Sequence, residues 1–180
     1  MKDLIRQIEP MIPALRRYAR ALLRDRDLAD DLVQDCLERV IARWSQRRDS
    51  DEPRQWAFAI LHNLAIDSMR RRTRRGVHLA IDDVSENEMA VPGRQEDGLR
   101  HADLIRALEA LPPDQRSVVL LVSVEDMTYA EAAKALAIPL GTVMSRLARG
   151  RERLQKALDG ERSTPARTQA AGVPPLRRLK

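Results

Sequence analysis

The chain has 180 residues, enough for one ordinary domain or two small ones, and carries 32 Lys/Arg against 27 Asp/Glu, a formal net charge of +5. One cysteine, Cys36, excludes an internal disulfide and a cysteine-based zinc cluster, and no apolar run approaches the roughly 20 residues that cross a bilayer. The N-terminal MKDLIRQIEP lacks a signal-peptide core, so a cytoplasmic protein without membrane insertion is expected.

Aromatic residues are few (two Trp, two Tyr, one Phe), so cores must be built from Leu, Ala, Val and Ile. Apolar residues recur at helical spacing and glycine is scarce, which predicts an all-α fold. Basic character is local: residues 1–75 carry a net +5, residues 76–100 a net −4, residues 101–160 balance, and the last twenty carry +4. Local basic faces suggest a polyanionic partner, with an acidic segment dividing two helical blocks.

Pro10 and Pro13 interrupt the start of the first block, so a short helix is predicted before the one carrying Ala14 to Arg24. Asp27 is the expected N-cap of the next helix, whose Leu28, Leu32, Val33, Cys36, Leu37, Val40 and Ile41 read as one apolar stripe. On that stripe Cys36 is a small buried hydrophobe rather than a redox sensor. RRDSDEP (47–53) breaks the pattern, and Pro53 suits the first turn of a third helix. There Trp56, Ile60 and Leu64 read as core, and the helix ends in the basic run RRRTRR (70–75).

Residues 76–98 are read as a flexible acidic linker. The second block then supplies Leu104, Ile105, Leu108 and Leu111 at helical spacing, stopped by Pro112 and Pro113. Asp114 is the expected cap of the helix that follows. Thr128 and Glu131 form a capping-box pattern, opening a short helix whose Ala130, Ala132, Ala133 and Ala135 let a second helix cross. Pro139 pre-sets the first helical φ of that second helix, in which Val143, Leu147, Leu154 and Leu158 face inward. Thr142, Ser145, Arg146, Arg149 and Arg153 lie on or beside the opposite face. The pair 128–150 fits a packed helical hairpin and a DNA-reading helix-turn-helix equally well. The tail, 161–180, has three prolines and little periodicity, and is expected to be disordered. The three histidines, His62, His78 and His101, are scattered, and no constellation supports catalysis, a metal site or a cofactor.

The stretch ALEALPPDQRSVVLLVSVEDMTYAEAAKALAIPLGTVMSRLARGRERL (107–154) resembles region 4, the promoter-binding domain of the extracytoplasmic-function (ECF) sigma factors of bacteria. YARALLRDRDLADDLVQDCLERVIARW and WAFAILHNLAIDSMRRRTRR resemble the two parts of sigma region 2, in the same order. The resemblance implies two helical domains, 1–75 and 99–160, and a chain that binds core RNA polymerase and directs promoter-specific initiation.

Residue by residue, the resemblance assigns Asp31, Gln34, Asp35 and Glu38 to polymerase docking. Trp56, Asn63, Arg70, Arg71 and Arg72 fall to the −10 element, with Asn63 on single-stranded bases and the arginines on phosphates. Ser145 and Arg149 match positions that face −35 base edges. Thr142, Met144 and Ala148 share the reading surface, the latter two able to make only apolar contacts such as one with a thymine methyl. Arg146 and Arg151 suit phosphates, with Tyr129 helping from the first helix of the pair. Met144 stands where many relatives carry a basic residue, and Ala137 where glycine is frequent in the turn. An anti-sigma protein is an expected partner. Two other readings stay open: a sigma mimic that binds an anti-sigma protein, and a stand-alone helix-turn-helix regulator.

Overall fold

The computed structural model describes residues 2–47, 52–74 and 95–162. Most of the 76–98 linker and 161–180 tail, and the centre of the 47–53 loop, lie outside them. Among the described residues there are eight α-helices and no strands: α1 (Lys2–Ile8), α2 (Ile12–Leu23), α3 (Arg26–Ala42), α4 (Pro53–Arg74), α5 (Gln95–Ala110), α6 (Pro113–Ser123), α7 (Tyr129–Leu136) and α8 (Leu140–Arg162). None is long and apolar enough to cross a membrane.

Helices α2, α3 and α4 pack together around Leu15, Tyr18, Leu22, Val33, Cys36, Phe58 and Leu61, all but inaccessible to solvent. Tyr18 and Phe58 meet edge to face at 5.5 Å, a geometry favoured by the ring quadrupoles. Cys36 is fully buried and its thiol donates to the Ala57 carbonyl at 3.4 Å; burial pushes its pKa up to about 12. In the second half α6 crosses α8, and Val118, Leu121, Val143 and Leu147 fill the contact. Gly150 sets the approach of these two helices, because a Cβ there would lie 2.7 Å from Val119 Cγ2.

Several expectations shift by a residue or a face. Asp25, not Asp27, caps α3: its extended backbone lets the carboxylate accept from Leu28 N–H at 3.0 Å, while Asp27 sits in the first turn. Pro112 holds the N-cap position of α6, so Asp114 is a first-turn residue free to pair elsewhere. Pro139 precedes α8 rather than beginning it, and its carbonyl accepts from Thr142 and Val143. Ile41 is 55% exposed, one helical step off the buried stripe. Trp56 and Ile60 are half-buried, since the deep side of α4 is Ala57, Phe58, Leu61, Leu64 and Ala65. Ala130 is exposed, while Ala132 and Ala135 are buried at the helix crossing.

The two halves pack against each other. Helix α4 lies along α7, and α2 touches both α5 and α6. Two buried charges hold this junction. Arg116 is buried and donates to the carbonyls of Leu108 (2.9 Å), Glu109 and Leu111 (2.8 Å), closing the C-terminal end of α5. An N–H of Nη1 reaches across to the Leu22 carbonyl in the last turn of α2, at 2.9 Å. A cation at two helix C-termini meets both orphan carbonyls and the negative ends of the helix dipoles. Burial lowers the Arg116 pKa only to about 10, so the charge persists at neutral pH.

Glu125 is the second charge, its side chain wholly buried. Arg17 of α2 grips it with two parallel bonds of 2.9 and 2.8 Å, the strong fork geometry of arginine on carboxylate. Arg54 of α4 adds a bond to its backbone carbonyl at 2.6 Å and an ion pair at 3.4 Å.

Removing both arginines strands a buried anion. R17A/R54A should therefore lose about 3–5 kcal/mol in urea unfolding, with E125Q losing less because its amide oxygen still accepts from Arg17. Acid should act on the carboxylates Asp25, Asp30 and Glu131, whose pKa values are lowered by bonds from Leu28 N–H, the Arg20 guanidinium and Thr128 N–H respectively. Their stabilisation is complete above the unfolded carboxylate range and is lost as pH falls through the lower folded values. Helical circular dichroism should thus hold down to about pH 4 and then decline, and D25N, which lacks the charge, should decline less.

Candidate functional site

Three surfaces carry the residues that the sequence singles out. On α3, Asp31, Gln34, Asp35 and Glu38 are all exposed, opposite the buried Leu32, Val33, Cys36 and Val40. Spacings of three and four residues put them on one face. Gln34 donates to Glu38 at 3.1 Å, which fixes part of the row without neutralising it.

On α4, Asn63 is exposed and Arg71 projects into solvent two turns further on, beside Arg70. Arg70 lies 4.0 Å from Asp67, a loose exposed pair. Arg72 differs: it is half-buried and bound to Asp25 at 2.7 Å, tying the end of α4 to the cap of α3. Trp56 packs edge to face on Trp44, ring centroids 6.3 Å apart. His62, on the inner side of α4, meets the Tyr18 hydroxyl through Nδ1 at 2.9 Å. Burial, then the nearby Arg146 charge, brings its pKa down to about 4, so it is neutral at physiological pH.

The third surface is the helix pair α7–α8. The capping box forms as expected: Thr128 N–H donates to Glu131 Oε2 at 2.7 Å and Glu131 N–H to Thr128 Oγ1 at 3.2 Å. Ala137 closes α7 in the left-handed region, φ 52°, and Ile138 N–H returns to the Ala133 carbonyl at 3.0 Å. Alanine there costs about 1 kcal/mol relative to glycine. Beyond the turn, Met144, Ala148 and Arg149 are exposed and Ser145 is half-buried. Arg149 engages no side chain among the described residues.

Other polar groups of the pair already have partners. Arg146 pairs with Asp114 at 3.3 Å, Arg151 donates to the Ser123 hydroxyl at 3.2 Å, and Ser145 Oγ donates to the Thr142 carbonyl at 3.1 Å. Tyr129 is 39% exposed at the first residue of α7. The result is a helix pair whose outer face keeps Met144, Ala148 and Arg149 exposed, with the geometry of helix-turn-helix motifs that fit a DNA major groove.

Sequence reasoning missed Arg116, Glu125, Arg17 and Arg54. Glu125 had a signal, since Val118, Leu121 and Glu125 fall at i, i+3 and i+7, which puts an acid on an apolar stripe. Its partners lie about 70 and 110 positions away in the chain, and no local pattern connects them.

Comparison with known proteins agrees with this architecture. The family model described as "Sigma2 domain of PhyR" matches residues 8–62, and "Sigma-70, region 4" matches residues 101–154. The "ECF RNA polymerase sigma factor EcfG" of Rhodopseudomonas palustris is 35% identical over 147 residues, covering 82% of this chain and 80% of its own. The "RNA polymerase sigma factor HrpL" of Pseudomonas syringae pv. syringae is 30% identical over 161 residues, covering 86% and 87%. Among solved structures, the sigma factor RpoE in complex with the anti-sigma factor NepR, from Bartonella quintana, superimposes with a TM-score of 0.73 at 30% identity, covering 88% of this chain and 98% of that one. A region 2-like half around α3 and α4, a region 4-like half around α6 to α8, and relatives matched over most of their length place the chain among the extracytoplasmic-function sigma factors, the promoter-selecting subunits of bacterial RNA polymerase.

Proposed function

We propose that this sigma factor docks on core RNA polymerase through the α3 row Asp31, Gln34, Asp35 and Glu38. In this reading it captures the opened −10 strand with the Asn63 side of α4 and reads the −35 duplex with the outer face of α8. The observation that carries the reading is a division of labour among charged groups. Arg17, Arg54, Arg72 and Arg116 are committed to internal partners, while Arg71, Arg149 and the α3 acids face solvent. An exposed acidic row contributes on-rate and specificity at a protein interface. Arg149, exposed one turn beyond Ser145, can bond base edges or phosphates.

Geometry adds a requirement. The −35 and −10 elements are separated by about 25 base pairs, or about 85 Å at 3.4 Å per pair. Two halves that share a junction cannot reach both at once, so they separate on the promoter. The packed arrangement then corresponds to a stored form, consistent with its likeness to RpoE, whose structure was solved bound to an anti-sigma factor. An anti-sigma protein that grips both halves would hold that form. The sigma-mimic alternative, to which the PhyR description of the first family model lends some weight, leaves the free Arg149 and the α3 row without work.

In vitro transcription with purified core polymerase tests the proposal: promoter-specific transcripts are expected from a genomic template library, and their complete absence would sink it. R149A should cost about 1–3 kcal/mol of base discrimination at the −35 element, with polymerase affinity unchanged. D31K/D35K should do the opposite, slowing association with core polymerase in a salt-dependent way while leaving −35 duplex binding and thermal stability intact.

A further inference from the structure

Helix α8 opens with two large apolar side chains that stand outside the core. Leu140 is 49% exposed and Met144 52% exposed. They stand four residues apart, so they are neighbours on one side of the first two turns, and the exposed Ala148 continues the row. Neither large residue joins the buried cluster or the half-buried side chains that surround it. Single exposed apolar residues are ordinary, but a paired ridge at the leading end of a helix-turn-helix reader is a contact surface.

The polar groups of the same turns have little reading capacity left. Ser145 spends its hydroxyl proton on the Thr142 carbonyl, and Arg146 is held by Asp114. Arg151 is turned toward Ser123. Arg149 and Arg153 stay exposed further along the helix, five and nine residues beyond Met144 and so well around the helix from the ridge, where their charge suits a phosphate backbone on the far wall of a groove. The occupant is therefore DNA, and the chemistry of the ridge specifies what it touches. In the major groove the only apolar feature on a base-pair edge is the thymine C5-methyl group, and an unbranched methionine adapts its shape to such a group.

Building on the assignment of α8 as the −35 reader, we propose that Leu140 and Met144 form an apolar ridge that selects thymine at one or two positions of the −35 duplex by burying their methyl groups. The ridge thus supplies specificity that this chain does not draw from a basic side chain at position 144.

The experiment uses the full chain with core polymerase and a −35 duplex selected from a random library, resynthesised with deoxyuridine in place of each thymine in turn. This change removes one methyl group and leaves every hydrogen-bonding group in place. At one or two positions the substitution should weaken wild-type binding about four-fold, equivalent to about 0.8 kcal/mol per buried carbon group. M144A and L140A, both at exposed positions and expected to melt like the wild type, should bind one or both of those uracil duplexes as well as the thymine parent. Wild-type binding that is indifferent to every uracil substitution overturns the ridge, as does full discrimination retained by both variants. Failure of the DNA-reading assignment itself looks different: no −35 duplex would be selected, and R149A would behave as the wild type.

Discussion

Everything about this structure depends on how two buried charges are compensated at the junction of its halves. Among the described residues Arg116 forms no ion pair with a carboxylate; it is satisfied by four backbone carbonyls at the ends of two helices. Glu125 is satisfied by arginines of the opposite half. Both groups pay a desolvation cost that hydrophobic residues would avoid, and such sites are commonly no more stable than apolar ones. Their value lies in geometry. A carboxylate gripped by a guanidinium fork admits one orientation of α6 against α2, where an apolar patch would tolerate several.

The fold was legible in the sequence wherever a signal was local. Helical periodicity located α2 to α8, Pro53 marked the start of α4, and Thr128 with Glu131 fixed the start of α7, because capping is settled within four residues. Misreadings came from choices between near neighbours. Asp25 and Asp27 are both competent caps, and only the extended backbone at Asp25 decides between them. Ile41 extends an apolar stripe on paper, but Val40 takes the inward place at the end of α3. The junction was not legible, since its partners are joined by tertiary packing alone. The outer face of α8 could be read as a surface, but which of its arginines remained free could not. Asp114 and Ser123, on the helix crossing beneath, make that selection.

Arginine serves opposite purposes within this one chain. Where carbonyls or carboxylates converge, as around Arg116 and Arg17, its planar donors build the scaffold. On the outer sides of α4 and α8 the same side chain is left hydrated and available. Arg72 shows why composition cannot separate the two roles: it belongs to the basic run at the end of α4, yet Asp25 makes it a strut between α4 and α3.

The buried Glu125 also ties the electrostatics of the two halves together while they are packed. While the halves are together, one carboxylate neutralises cations contributed by both α2 and α4. In the parting proposed above, the N-terminal half loses the single negative charge that Arg17 and Arg54 share, a net gain of one positive charge on the half proposed to meet opened promoter DNA. In that proposal, counterions shed from a nearby duplex favour the parted state, and thermodynamic linkage would make DNA a ligand for opening as well as for reading. Salt weakens phosphate contacts but reaches the buried carboxylate of Glu125 far less, so high ionic strength favours the packed form.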